Sequence, residues 1–248
     1  KVNAAERLRE SFARRSYTPL SLNIGSATDA YQPVERRLRI TRSILEVMSE
    51  CRHAFSIITK SSGIERDLDL IAPMAAQRLA AIYVTVTTLD TDLAGRLEPR
   101  ASRPAARLRA ISALAAAGVP VGVLVAPVVP GLTEHEIPGI IRAVSEAGAT
   151  FGGYLVLRLP HAVKDLFRDW LATHEPGKSA RVLDRVRAMR GGDLNVSEWG
   201  ARMKGEGIHA EQIRAMFETA ARRHGLDPRR PGLSSEAFRR PGEQLSLL

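Results

Sequence analysis

Five short apolar stretches, each running into a polar loop and then a helical pattern, recur along this chain at a spacing of about 30 residues. They cover residues 20–24, 55–59, 82–87, 121–126 and 154–159. Parallel strands need a crossover back over the sheet, so this alternation predicts an α/β fold of parallel strands joined by right-handed crossovers. The stretch Val121-Gly122-Val123-Leu124-Val125-Ala126 has no polar face, as expected of a parallel strand covered by helices. An open sheet and a barrel satisfy the alternation equally. The chain's 248 residues, 44% hydrophobic, suit one α/β barrel domain plus a tail.

The intervening segments supply the helices. Residues 4–15 place Leu8 and Phe12 four apart on one edge, and Pro33 opens a helix through Leu38, Leu45 and Met48 to about Cys51. A further helix starts near Arg66, where Pro73 argues for a kink or a later start. Leu108, Ile111, Leu114 and Ala115 form one face of a helix stopped by Gly118 and Pro120. Thr133 and Glu136 read as a capping box for a helix through Ile140, Ile141 and Val144 to Gly148. From Pro160 onward the pattern is helical, with segments around 163–170, 182–189 and 209–224.

The strand ends are where α/β folds place ligand chemistry. The first strand runs through Ile24 into Gly25, Ser26, Thr28 and Asp29, and the second ends at Lys60. Thr87, Thr88, Glu98 and Arg100 follow the third, the 127–134 loop follows the fourth, and Arg158 lies at the end of the fifth. Parallel strands bring these groups to one rim, which offers both charges to a small zwitterion and apolar backbone to a flat ring. The bland alternative pairs Glu98 with Arg100 or Arg103 and leaves Lys60 solvated.

Other chemistries lack support. There is no G-x-S-x-G, no G-x-x-x-x-G-K-[ST] and no G-x-G-x-x-G, so serine hydrolase, NTPase and dinucleotide readings have no positive signal. Cys51 is the sole cysteine, which excludes an intramolecular disulfide and a cysteine-ligated cluster within these residues, and it reads as a helix-terminal structural residue. The six histidines fall at no metal-ligand spacing and read as surface or cap residues. No apolar run approaches the roughly 18 residues of a membrane span, and the opening residues are no signal peptide, so the expected location is the cytoplasm. A net charge of +9 attracts polyanions, although aromatic residues for base stacking make up only 5% of the chain.

Several phrases in fixed order resemble the radical S-adenosylmethionine (radical SAM) superfamily, in its DNA repair photolyase-like branch related to spore photoproduct lyase. They are residues 25–33 (GSATDAYQP), 58–61 (ITKS), 87–90 (TTLD), 97–101 (LEPRA), 126–132 (APVVPGL), 157–160 (LRLP) and 190–192 (RGG). The resemblance implies a partial (β/α)6, incomplete TIM-like barrel over residues 1–178, holding S-adenosylmethionine and a [4Fe-4S] cluster and making a 5′-deoxyadenosyl radical for hydrogen abstraction. Residues 179–226 are then a helical extension and 227–248 a basic tail. By position, Asp29 with Ser26 and Thr28 would meet the methionine amino group, Lys60 its carboxylate and Thr87 the ribose. Val129 and Gly131, in a V-x-G-x-x-E phrase ending at Glu134, would lie beside adenine, with Arg158 and its neighbours nearby.

The chain departs from the family in lacking a C-x-x-x-C-x-x-C loop. It therefore reads as a form without the first strand, with no metal ligand of its own and with the three cluster cysteines expected upstream of Lys1. An electron donor for the cluster and a nucleic-acid substrate are the implied partners. The competing reading is a non-catalytic, basic α/β protein that binds nucleic acid or a partner. The tail from about Asp227 is expected to be extended or mobile. Its last residues, Gln244, Leu245, Ser246, Leu247 and Leu248, resemble the short motif that docks repair proteins on the polymerase sliding clamp, without the usual terminal aromatic residue.

Overall fold

The computed structural model describes residues 2–196 and 201–242. Five strands, β1 (Leu22–Ile24), β2 (Phe55–Thr59), β3 (Ala80–Thr85), β4 (Val121–Val128) and β5 (Phe151–Val156), form one parallel sheet in chain order. The sheet curves without closing, the partial TIM-like architecture expected. The strands run slightly off their expected bounds. β3 ends at Thr85 and β5 begins at Phe151, which leaves Thr87 and Arg158 each two residues past a strand end. Ala126–Pro127 is a cis peptide within β4.

On the convex side, Leu45, Ile57, Ile82, Val84, Val123 and Tyr154 belong to one large core beneath the crossover helices. These helices are α1 (Ala4–Ala13), α2 (Glu35–Leu38), α3 (Ile40–Glu50), α4 (Leu68–Ala76), α5 (Thr91–Leu97), α6 (Pro104–Ala116) and α7 (Ile137–Glu146). The helix expected over 33–51 is broken at Arg39, whose left-handed φ of 50° ends α2 and starts α3. Residues 62–67 form a 3-10 turn before α4, which continues through Pro73. Helix α5 has no counterpart in the sequence reading; Asp90 caps it by accepting from the N–H groups of Asp92 (2.8 Å) and Leu93 (3.0 Å).

The helices α8 (Val163–His174), α9 (Ser179–Ala188), α10 (Ala201–Lys204) and α11 (Gly207–Arg223) complete the described elements. A second hydrophobic cluster, including Val129, Leu159, Phe167, Leu171 and Val182, joins α8 and α9 to the β4 and β5 exits. No helix among the described residues is long and apolar enough to cross a membrane.

Two further expectations are corrected by the structure. The capping box is absent: Thr133 Oγ1 accepts from the Val129 N–H (2.9 Å), and Glu136 instead accepts from Thr88 Oγ1 (2.5 Å) and the Leu89 N–H (2.8 Å). Glu136 thus ties the β3 exit to α7, a tertiary use that outcompetes the local one. His53 is neither surface nor cap; it is fully buried, stacked on Phe12 with ring centroids 4.4 Å apart.

Of the two expectations for the tail, extended or mobile, the structure has the first. As far as Gly242 it is irregular but anchored, running under the starts of the strands. The Asp227 N–H donates to the Thr150 carbonyl at the start of β5, and the Ser234 N–H donates to Arg78 ahead of β3. The Arg239 N–H donates to the Cys51 carbonyl ahead of β2. Phe238 then meets Phe12 edge-on (5.5 Å), and Arg240 donates to the Phe12 and Tyr17 carbonyls. The pentapeptide 244–248 lies outside the described residues. Cys51 is a buried helix-terminal residue, as expected, and burial pushes its thiol up to about 11.

Candidate functional site

At the C-terminal ends of the strands, a chain of hydrogen bonds joins four of the expected groups. The exit of β1 bends toward β2 at Gly25 (φ 93°), where a Cβ would lie 2.2 Å from the Ile58 carbonyl oxygen, so only glycine permits the approach. This brings Asp29 over the end of β2. Its Oδ1 accepts from the Tyr31 N–H (2.8 Å) and Thr59 Oγ1 (2.7 Å), and its Oδ2 accepts from the Lys60 N–H (2.6 Å). A carboxylate offers about four lone-pair positions, so Asp29 retains capacity for one further donor.

The Lys60 ammonium donates to Glu98 Oε1, and Thr87 Oγ1 donates to the same oxygen (2.8 Å) with the Ala126 carbonyl 2.9 Å away. Glu98 Oε2 accepts from Arg107 Nη2 (2.6 Å). Arg107 is 2% exposed, and its other donors meet the Thr85 carbonyl (2.9 Å) and the Ser102 carbonyl (2.7 Å). Glu98 therefore pairs with neither Arg100 nor Arg103, and Lys60 is not simply solvated. Burial is the strongest influence on Glu98 and raises its carboxyl; the charges and hydrogen bonds of Lys60 and Arg107 together outweigh it and hold the group below its ordinary value. Lys60 and Arg107 are balanced by Glu98 and the neighbouring Asp29, so the chain presents both a cation and an anion to an incoming zwitterion.

The remaining expected residues stand apart from this chain. Ser26 and Thr28 are exposed on the β1 exit loop, where Ser26 also lines the concave face of the sheet. Val129 is fully buried in the second cluster, and its carbonyl accepts from the N–H groups of Leu132 and Thr133. The Gly131 carbonyl accepts from Arg181 Nη2 (3.0 Å), while Glu134 pairs with Arg185. This turn is packed under α9, and its polar groups are largely used internally. Arg158 places Nη1 3.8 Å from Met203 Sδ, and its buried Nε has no hydrogen-bond partner among the described residues. Burial lowers the Arg190 guanidinium from its ordinary value, and the charge of Arg158 lowers it further.

Two groups were missed in the sequence. Arg107 falls on the buried stripe of α6 with Pro104, Ile111 and Leu114, and that spacing was the available signal. The other is the lumen under the rim, a cavity of about 590 Å³ lined by Asn23, Ser56, Ile58, Tyr83, Leu124 and Leu155, with Arg230 and Leu233 from the tail. Alternation of in-facing and out-facing residues along each strand marks these positions.

The donor set at the rim fits S-adenosylmethionine: a cation for its carboxylate, an anion with spare capacity for its ammonium, and a hydroxyl at the β3 exit. The described residues do not fit an iron–sulfur cluster, since they hold no group of three or more His, Cys, Asp or Glu able to bind a metal, and Cys51 is buried below the sheet. Lys1 lies outside the described residues, and so does the cysteine loop expected upstream of it.

Comparisons with known proteins bear on the family and the fold. An uncharacterized protein of Mycobacterium tuberculosis is 32% identical over 189 residues, covering 75% of this chain and 56% of the relative. One of Methanocaldococcus jannaschii is 28% identical over 113 residues, 46% of this chain and 42% of its own length. The chain thus spans about half the length of these relatives. Among solved structures, a spore photoproduct lyase mutant with bound AdoMet and dinucleoside spore photoproduct superposes with a TM-score of 0.60 at 13% identity, over 90% of this chain and 64% of the other, a likeness of fold. The model of the radical SAM superfamily matches residues 7–144, more than half of the chain, and this protein belongs to that superfamily.

Proposed function

We propose that the rim is an S-adenosylmethionine site and that the whole protein is a radical SAM enzyme, a lyase or related catalyst acting on a nucleic-acid-associated substrate. The observation that carries this reading is the chain Asp29, Lys60, Glu98, Thr87, which gathers the exits of β1, β2 and β3 around both charges of an amino acid. When bound and reduced by a [4Fe-4S] cluster, S-adenosylmethionine supplies a 5′-deoxyadenosyl radical for hydrogen abstraction. Protein running that reaction carries the cluster thiolates on sequence other than these residues.

The chain's own residues bind and orient. Lys60 keeps donors beyond the one given to Glu98, and its side chain is 31% exposed, so it reaches an incoming carboxylate without leaving its partner. Thr87 is held by Glu98 at the β3 exit, where a ribose hydroxyl would meet it. The lumen beneath offers partly apolar walls where a substrate would sit, with Ile58, Tyr83, Leu124 and Leu155 in its lining.

The decisive experiment is titration of the chain with S-adenosylmethionine. Saturable binding that Lys60→Ala weakens at least ~10-fold, with the fold retained, supports the site; affinity unchanged by that substitution removes it. For the whole protein, anaerobic iron–sulfur reconstitution should give a brown protein that releases 5′-deoxyadenosine under reduction.

The nucleic-acid part of the reading is supported by the net charge of +9 and by the dinucleoside bound in the lyase of similar fold. It requires binding that weakens steeply with salt; salt-insensitive or undetectable binding counts against it. The sliding clamp is proposed as a partner through residues 244–248, to be checked by loss of clamp co-elution when these five residues are deleted.

A further inference from the structure

The lumen differs from the rim above it in carrying a single charge. Its walls are the in-facing residues of the five strands, mostly apolar or small, with Tyr83 as the large aromatic group. Tyr83 stacks edge-on against Phe151 with centroids 5.0 Å apart. That contact exists because Gly122 lies between them on β4: a Cβ there would fall 2.3 Å from the Phe151 ring.

Below, the lumen is floored by the tail. The strap is fixed on both sides of its crossing. Near β5, the Gly152 N–H donates to the Asp227 carbonyl (3.2 Å); near β3, Arg78 Nη2 donates to the Gly232 carbonyl (3.2 Å). Between these anchors, Arg230 and Pro231 line the cavity. Arg229, one residue earlier, is occupied by Asp227 at 3.0 Å. Arg230 enters no ion pair among the described residues, and no acidic residue shares the lining. Its field reaches the ring above: burial raises the Tyr83 phenol, and the charge of Arg230 opposes that rise.

A half-apolar cavity with one aromatic wall and one uncompensated guanidinium on its floor has a defined complement. The walls favour a planar, largely apolar body, and the floor favours one anionic group, because the fork of guanidinium N–H donors matches a carboxylate or phosphate. We propose that the lumen binds a ligand of this class, with its anionic group on Arg230 and its ring against Tyr83, and that the tail thereby selects what the site accepts. The cavity is of a size to hold one drug-sized molecule or one nucleotide unit, not a duplex. That this ligand is the substrate rests on the function proposed above; that it binds does not.

The test uses two matched pairs in which only the anionic member carries the charge: thymidine 5′-monophosphate against thymidine, and indole-3-carboxylate against indole. Calorimetric titration should show the anionic member of at least one pair binding ~10-fold or more tighter. Arg230→Gln should bring that ratio close to one while leaving the neutral member's affinity unchanged, and Arg230→Lys should preserve the preference. Tyr83→Leu should weaken both members of the pair alike. A preference confined to the nucleotide pair, with competition by a single-stranded oligothymidylate, identifies a nucleotide unit of a strand; a preference confined to the indole pair identifies a free small molecule.

No charge preference in either pair, or one that survives Arg230→Gln, overturns the proposal. Since the Arg230 side chain enters no ion pair or hydrogen bond among the described residues, Arg230→Gln should leave the thermal midpoint unchanged. Titration of S-adenosylmethionine with the same variant reports on the rim alone, so failure of one reading is separable from failure of the other.

Discussion

The two rims of the sheet are held by different physics. At the C-terminal rim, carboxylates do the joining: Asp29 links β1 to β2, Glu98 links β2 to β3 and α6, and Glu136 links β3 to α7. At the N-terminal rim, Phe12, Tyr17, His53 and Phe238 pack ring on ring, and the tail crosses beneath by backbone hydrogen bonds. Buried charge is costly, so a fold concentrates it where a ligand repays the cost; apolar packing carries no such condition. The charged rim thus carries the groups that the proposed site needs, and the aromatic rim holds the tail in place.

Substitutions should separate the two. The largest effect is expected from Arg107→Met, which leaves Glu98 buried with only Lys60 opposite; breaking one partner of a buried pair costs about 3–5 kcal/mol. Urea unfolding measures it, and Glu98→Gln added to Arg107→Met should recover part of the loss. A cost below about 1 kcal/mol would show that the charged rim is not held by its ion pairs. Next comes Phe238→Ala at the opposite rim, with an expected loss of about 2 kcal/mol for a partly buried ring, read as a lowered thermal midpoint. Loss of binding at the C-terminal rim in this variant, with the fold intact, would break the division of labour.

Asp29→Asn ranks third. Three hydrogen bonds depend on this carboxylate, so a loss of about 1 kcal/mol is expected together with weakened S-adenosylmethionine binding. Stability loss with unchanged affinity would make Asp29 a loop tie only.

The smallest effect concerns pH. His53 is held neutral, its Nδ1 2.9 Å from the Ala54 carbonyl and its Nε2 2.8 Å from the Tyr17 hydroxyl, and burial lowers its folded pKa below the ordinary value near 6.5. With the folded value below the unfolded one, the unfolded chain takes up the proton first. The contribution of His53 is complete above about pH 6.5 and falls as pH drops toward the folded value. Denaturation midpoints between pH 8 and 5 should show this decline, and His53→Phe should flatten it.

The five strands were legible because one face packs under the helices and the other lines a partly apolar lumen, which leaves near-continuous apolar runs, as at 121–126. The rim groups were legible because they follow those runs. Arg107 was not, since an arginine on a helix reads as solvated until a buried carboxylate stands opposite it, and Glu98 comes from a different segment. Thr133 and Glu136 had the spacing of a capping box, but the partners they found came from the β4 and β3 exits. The tail gave no periodic signal at all: its anchors are backbone groups of distant segments, and single residues such as Phe238 and Arg240 carry the rest.

The strap also bears on how the chain is made. Arg240 and Phe12 are 228 positions apart, yet they meet, and Phe238 completes the ring cluster that buries His53. During synthesis α1 and the strands emerge long before this partner does, so the underside of the sheet stays uncovered until nearly the whole of the described chain has left the ribosome. In the nascent chain, Phe12, Tyr17 and His53 therefore wait for Phe238 to complete their cluster.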